Sequence, residues 1–172
     1  IQNFCSEDLG GFYLDILKER LYTSGADSHP RRAAQTALHH ILQSVTMLIA
    51  PVLSFTAEEI WSTLQSDKEE SVFLHGYQDL PRPADGDELR LRWKRLREIR
   101  AVALKEIEER RTAGEIGSSL QAELEFTANP EDLKLLASLA DDLRFVVITS
   151  RATANGTSSP DGEAVTCRVN AS

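Results

Sequence analysis

The sequence predicts a mainly α fold: an antiparallel four-helix bundle over residues 1–114, followed by a small α+β unit over 115–172. Three observations lead there. Four segments before Gly114 carry apolar residues at three-and-four spacing, so each has one face to hide, and such helices bury those faces most simply against one another. Breakers separate them: Thr23-Ser24-Gly25, Pro51, and a run over 66–87 holding Pro81, Pro83, Gly76 and Gly86. After Gly114 the period falls to two, with Leu120, Ala122, Leu124 and Phe126 alternating with Gln121, Glu123, Glu125 and Thr127 as a half-buried strand requires.

The first helix buries Leu9, Phe12, Tyr13, Ile16 and Leu17. Gly10 and Gly11 weaken its start by about 1 kcal/mol each relative to alanine, so that start depends on packing. In the second, Pro30 suits the first turn, Ala34, Ala37, Leu38, Ile41, Leu42, Val45, Leu48 and Ile49 form the stripe, and Pro51 ends it. Thr56 and Glu59 have capping-box spacing and Phe55 with Ile60 can close a hydrophobic staple, which starts the third helix at Ala57. It runs to about Gln65, with Ile60, Trp61 and Leu64 inward. Within the following excursion Val72-Phe73-Leu74 reads as extended. Asp85 and Glu88 repeat the cap spacing, and Leu89, Leu96, Ile99, Ala103 and Ile107 carry a long fourth helix to Gly114, its C-terminal cap. Beyond the first strand, Asn129-Pro130 opens a short helix that turns Leu133, Leu136 and Leu139 or Ala140 inward, and Phe145–Thr149 reads as a second, more buried strand. A flexible loop near 155–163 precedes the weak alternation of Val165, Cys167 and Val169.

At 172 residues, 41% hydrophobic and 27% charged, the chain can bury a core. Cys5 and Cys167 lie near opposite ends without a CxxC pair, which argues against a zinc ribbon or a disulfide framework and for a reduced cytoplasm. No apolar run approaches the roughly 20 residues of a membrane span, and the start has no signal-peptide pattern. Asn170-Ala171-Ser172 reads as a chance sequon. The net charge is −8, yet between Arg90 and Arg111 nine basic residues face Glu98, Glu106, Glu108 and Glu109. The tail from Glu115 is acidic, so a polyanion would seek the helical half.

DLGGFYLDILKERLY, with Asp8, Leu9, Tyr13, Leu14, Asp15, Lys18, Arg20 and Tyr22, resembles a helix of the class I synthetases that charge tRNA with branched aliphatic amino acids. Ala34-Gln35, Ala50-Pro51 and Phe55–Trp61 are similar to further motifs of their anticodon-binding domain. Ile116–Ala122 and Asp142–Ser150 tilt the resemblance toward bacterial-type isoleucyl-tRNA synthetases, over nearly the whole chain. It implies a tRNA-binding domain whose catalytic and editing domains would precede Ile1. The family's His-x-Gly-His and Lys-Met-Ser-Lys-Ser motifs and its four-cysteine zinc module are absent, so the chain looks like a fragment. Aminoacylation, with its ATP and magnesium, is then expected of the parent, with no cofactor here. The expected partners are isoleucine tRNA and the parent's remaining domains, and a monomer is expected.

On this resemblance, Arg97, Arg100, Lys105, Arg110 and Arg111 on the fourth helix are candidates for anticodon-stem phosphates, since a helix sets such charges about 1.5 Å apart per residue along a backbone. The bland alternative is a solvated face of helix-spaced pairs such as Lys105 with Glu109. Arg31 and Arg32 open the second helix, where positive charge opposes the dipole at a cost of about 0.3–1 kcal/mol each, which favours a role in binding over pairing with Asp27. Lys18 and Arg20 match family positions but have Asp15 and Glu19 as local partners. Trp93, among Arg92, Lys94 and Arg95, is the candidate for stacking on an unpaired base, or else a seal between bundle and α+β unit, whereas Trp61 reads as core. His39 and His40 point to different sides of a helix, and no metal site is expected. Two rivals stay open: a scaffold that docks the catalytic domain, and the equivalent domain of a valyl enzyme. A free-standing enzyme is disfavoured, because no nucleophile, base or phosphate loop has recognisable spacing.

Overall fold

The computed structural model describes residues 1–64, 70–77, 79–80, 82–157 and 165–172. It is mainly α, with one small three-stranded sheet, and its contacts divide it into two compact units, Ile1–Arg82 and Pro83–Ser172. The division places the long fourth helix with the sheet, whereas the sequence put a boundary at residue 114.

In the first unit Phe4–Leu14 is π-helical and runs directly into α1, Asp15–Tyr22. Gly10 and Gly11 suit the wide turn: a Cβ at Gly10 would lie 3.1 Å from the Cys5 carbonyl oxygen, and one at Gly11 3.3 Å from that of Ser6. No residue of the π segment is buried, and α1 buries Leu17. The second helix, α2, is His29–Ile49, and the third, α3, is Ser54–Leu64. Under their corner lies a core of Met47, Ala50, Ala57, Trp61 and Val72.

The expected stripe of α2 is rotated. Leu42 and Leu48 are exposed, while Gln43, Thr46 and Met47 are buried. Burial of Thr46 is tolerated because its hydroxyl donates to the Leu42 carbonyl at 2.7 Å. The third helix also starts earlier than its cap signals suggest. Val52 N–H and Leu53 N–H both donate to the Ile49 carbonyl, at 2.9 and 2.8 Å, so the chain reverses at once, and Ala57 N–H already bonds the Leu53 carbonyl at 2.9 Å. Thr56 is therefore inside the helix and Phe55 is exposed rather than stapled. The expected end at Gln65 lies outside the described residues. Val72–Leu74 forms a 3₁₀ turn, not a strand, because Glu58 accepts from Ser71 Oγ at 2.9 Å and from Val72 N–H at 3.1 Å and pins the turn to α3.

The second unit opens with α4, Gly86–Thr112. Asp85 stands at its N-cap position without a side-chain cap bond. Gly114 ends it as expected: at φ 75°, its N–H reaches the Arg111 carbonyl and Glu115 N–H reaches that of Arg110, both at 3.0 Å. Strand β1, Ala122–Ala128, lies centrally between β2, Arg151–Gly156, which runs parallel to it, and β3, Thr166–Ala171, which runs antiparallel. Phe126 stands opposite Ala154 on one side and Cys167 on the other. The alternation read from sequence holds in β1, where Ala122, Leu124, Phe126 and Ala128 are buried against Leu96, Ile99, Ala103 and Ile107 of α4. Helix α5, Pro130–Ala137, is capped by Asn129, whose Oδ1 accepts from Asp132 N–H at 2.9 Å.

Phe145–Thr149 is not a strand. Leu143–Val147 is a short helix, α6, and Ile148 at φ 57° turns the chain so that Arg151–Gly156 becomes the partner of β1. Of the loop expected near 155–163, Asn155 and Gly156 belong instead to β2, and residues 158–163 lie outside the described residues. Cys167 is half-buried, and burial, aided by Glu106, pushes its thiol up to about 12, which leaves it protonated and inert at neutral pH.

Candidate nucleic-acid interface

In the first unit the candidate cations cluster on α1 and the start of α2. Lys18 Nζ donates to Asp15 at 2.8 Å, which raises its pKa, so that charge is partly answered within the helix. Arg20 is half-buried and engaged, and its charge opposes the upward push that burial gives the Tyr13 hydroxyl. Arg31 folds back over the α1–α2 connection, donating from Nη1 to the Ser24 carbonyl at 3.1 Å, while its buried Nε has no hydrogen-bond partner among the described residues. Arg32 is exposed and its guanidinium has no partner among the described residues; neither arginine pairs with Asp27 there.

The start of α2 adds its own field. Ser28 occupies the N-cap position with extended backbone, yet its hydroxyl makes no cap bond, and the first turn holds no acidic residue. Pro30 has no N–H, and the first intrahelical bond comes from Arg32 N–H to the Ser28 carbonyl at 3.0 Å. The positive end of a 21-residue helix is thus left uncapped beside two guanidinium groups, an arrangement whose chemistry suits a phosphate.

In the second unit the basic run of α4 divides by function. Arg95 donates from Nε and Nη2 to both oxygens of buried Asp132, each at 2.8 Å, and from Nη1 to Glu98 at 2.9 Å. That holds the Asp132 carboxyl below the usual range and raises the arginine. Arg92 reaches Ser138 Oγ at 3.1 Å, and Arg100 Nε donates to the Val146 carbonyl at 2.8 Å, near the end of α6. These three tie α4 to α5 and α6. Arg110 pairs with Glu115 at 2.7 Å, Arg111 with Glu108 at 3.1 Å, and Lys105 more loosely with Glu109 at 3.9 Å. Arg97 is exposed, with a partner of its own, and Trp93 is half-buried against the core of the unit.

Sequence reasoning passed over Lys94 as a contact residue. It is exposed, with no partner among the described residues, and shares with Arg97 and Lys105 the face opposite Leu96, Ile99 and Ala103. Its signal was the helical period, masked by Arg92, Trp93 and Arg95 around it. Trp61 is buried beside His75, ring centroids 4.7 Å apart, and belongs to the core. Among the described residues no three His, Cys, Asp or Glu side chains converge as a metal site, and no helix is long and apolar enough to cross a membrane. The exposed cations of α2 and α4 are of a chemistry that suits a polyanion.

The chain is similar in sequence to known proteins. An isoleucine–tRNA ligase of Thiobacillus denitrificans is 59% identical over 152 residues, covering 88% of this chain and 16% of that protein. Those of Nitrosomonas europaea and an Azoarcus species are 54% and 53% identical over 176 and 165 residues, covering 100% and 96% of this chain and 18% of each ligase. The chain thus spans about one-sixth of the length of these relatives. The family described as the anticodon-binding domain of tRNA ligase matches residues 1–126, through both helical segments and into β1, and the chain belongs to that family.

Proposed function

We propose that the chain grips the anticodon stem-loop of isoleucine tRNA as one domain of a cytoplasmic, monomeric isoleucine–tRNA ligase. Similarity to isoleucine–tRNA ligases over nearly the whole chain carries this reading, together with membership of the anticodon-binding family. Here the chain's residues bind and orient; aminoacylation, with its ATP and magnesium, belongs to the rest of the ligase. Arg31, Arg32 and the uncapped start of α2 hold backbone phosphates, and the exposed cations Lys94, Arg97 and Lys105 offer a second row along α4. Lys18, Arg20, Arg110 and Arg111 contribute charge already shared with neighbouring groups. Arg100 holds α6 and so shapes the surface from behind.

The test is a titration of the purified chain with isoleucine tRNA, valine tRNA and an isoleucine tRNA carrying a swapped anticodon, at two salt concentrations. Binding that follows the anticodon and weakens with salt is the expected result. Equal binding to all three would remove anticodon readout from this chain, and no binding would leave a scaffold that docks the catalytic domain.

A further inference from the structure

We infer that the uncharged corner joining α2 to α3 is the surface on which another domain of the same ligase docks, through an apolar patch of its own. The inference rests on the reading that this chain works as one domain of a longer ligase.

The corner is unusual in composition and in exposure. From Ile41 to Ala57 there is no Lys, Arg, Asp or Glu. Within that run Phe55 is 94% exposed, Val52 81%, Leu53 52% and Leu48 47%. The patch is held rigid, because Val52 and Leu53 both donate to Ile49, Ala57 donates to Leu53, and Ser54 Oγ donates to the Ala50 carbonyl at 3.1 Å. Met47, Ala50, Ala57 and Trp61 fill the core beneath it. A fixed apolar knob that needs no rearrangement to be covered loses little entropy on docking.

Its chemistry selects the occupant. A tRNA backbone requires cations, and the corner has none. A freely diffusing second copy would need roughly 800 Å² per partner for a stable interface. Four side chains of this size offer on the order of 400–500 Å², within what soluble proteins reserve for interaction sites. An area of that order suffices when the partner is tethered, since the linkage supplies the concentration that a small interface lacks. The relatives, of which this chain covers 16–18%, carry several times its length from which such a domain would come.

The experiment is hydroxyl-radical footprinting of the intact ligase containing this chain, unsubstituted and as Val52→Glu. Val52 faces solvent in the chain, so the glutamate disturbs docking and not folding; Trp61, buried beneath, must remain unreactive in both. The expected result is oxidation of Phe55 at least about fivefold slower in the unsubstituted enzyme than in the variant, as burial of an apolar patch requires. Equal, rapid oxidation in both would show the corner open to water and overturn the inference. Equal protection in both would show a cover indifferent to a buried charge, and would overturn it too, as would protection that is lost on dilution and so comes from a second copy. Isoleucine-dependent ATP–pyrophosphate exchange by the same preparation checks the parent activity separately, because its absence would sink the ligase reading while leaving the Phe55 ratio measurable.

Discussion

Asp132 lies buried at the start of α5 and meets the guanidinium of Arg95 from α4 through two parallel bonds, with Asn129 Nδ2 donating to it at 3.0 Å. Fork-to-carboxylate geometry of this kind is directional, and lysine cannot reproduce it. Removing one partner of a fully buried pair costs about 3–5 kcal/mol, but Arg95 is partly in water, so Asp132→Ala is expected to lower unfolding free energy by about 1–3 kcal/mol in urea titrations. The pH dependence has a definite sign. The Asp132 pKa is lowered from 3.8, so near and below that value the unfolded chain binds the extra proton. The stabilisation is complete above 3.8 and is lost as pH falls through the lower folded value. The stability gap between the protein and Asp132→Asn should therefore close in acid, and a gap that persists there would refute the pairing. In the sequence, Arg95 was one of nine like residues between Arg90 and Arg111. Which cation faces a buried carboxylate 37 residues away depends on how the helix lies on the sheet, and no local spacing records that.

At the scale of elements, legibility followed locality. Gly114 and Asn129 were readable because a helix end is decided within a few residues, by the one residue tolerant of positive φ or by a side chain reaching three residues on. Gly114→Ala is accordingly expected to cost about 1 kcal/mol, as a Cβ in left-handed backbone requires, while Gly25→Ala, with open space around it, should stay within about 0.5 kcal/mol. Equal effects in chemical denaturation would mean that the α4 terminus is not held by its glycine. The elements that were misread are those decided at a distance. Phe145-Val146-Val147-Ile148 is an apolar β-branched run that fits a strand or a buried helix equally well, and the helix prevails with Arg100 holding the Val146 carbonyl and Ile148 turning the chain out. The parallel partner of β1, Arg151–Gly156, is a half-exposed run of small and polar residues with no alternation to announce it. Thr56 and Phe55 carried genuine cap signals, but the reversal at Ile49–Leu53 had already started the helix.

Across the whole molecule, charge decides what can be bound and where. Acidic residues outnumber basic ones on both sides of Arg82, so a polyanion gains from the chain only where cations remain unanswered. The fourth helix looked the richest such place in the sequence, yet much of its charge holds its own unit together or pairs along the helix. Arg31 and Arg32 are fewer, but they have no carboxylate partner among the described residues and stand at an uncapped helix start. Each phosphate neutralised adds nearly one unit to the slope of log affinity against log salt, so counting slopes separates cations that touch RNA from those that do not. Arg31→Ala with Arg32→Ala should reduce that slope by about one to two units and weaken every tRNA alike, because phosphates carry no sequence. Arg110→Ala with Arg111→Ala removes the same formal charge from groups already paired and should change the slope by about half a unit or less. If the two double variants lower the slope equally, long-range charge is what attracts the tRNA, and the start of α2 loses its claim as a contact. If the α4 pair has the larger effect, the interface lies along that helix, and its ion pairs open when RNA arrives.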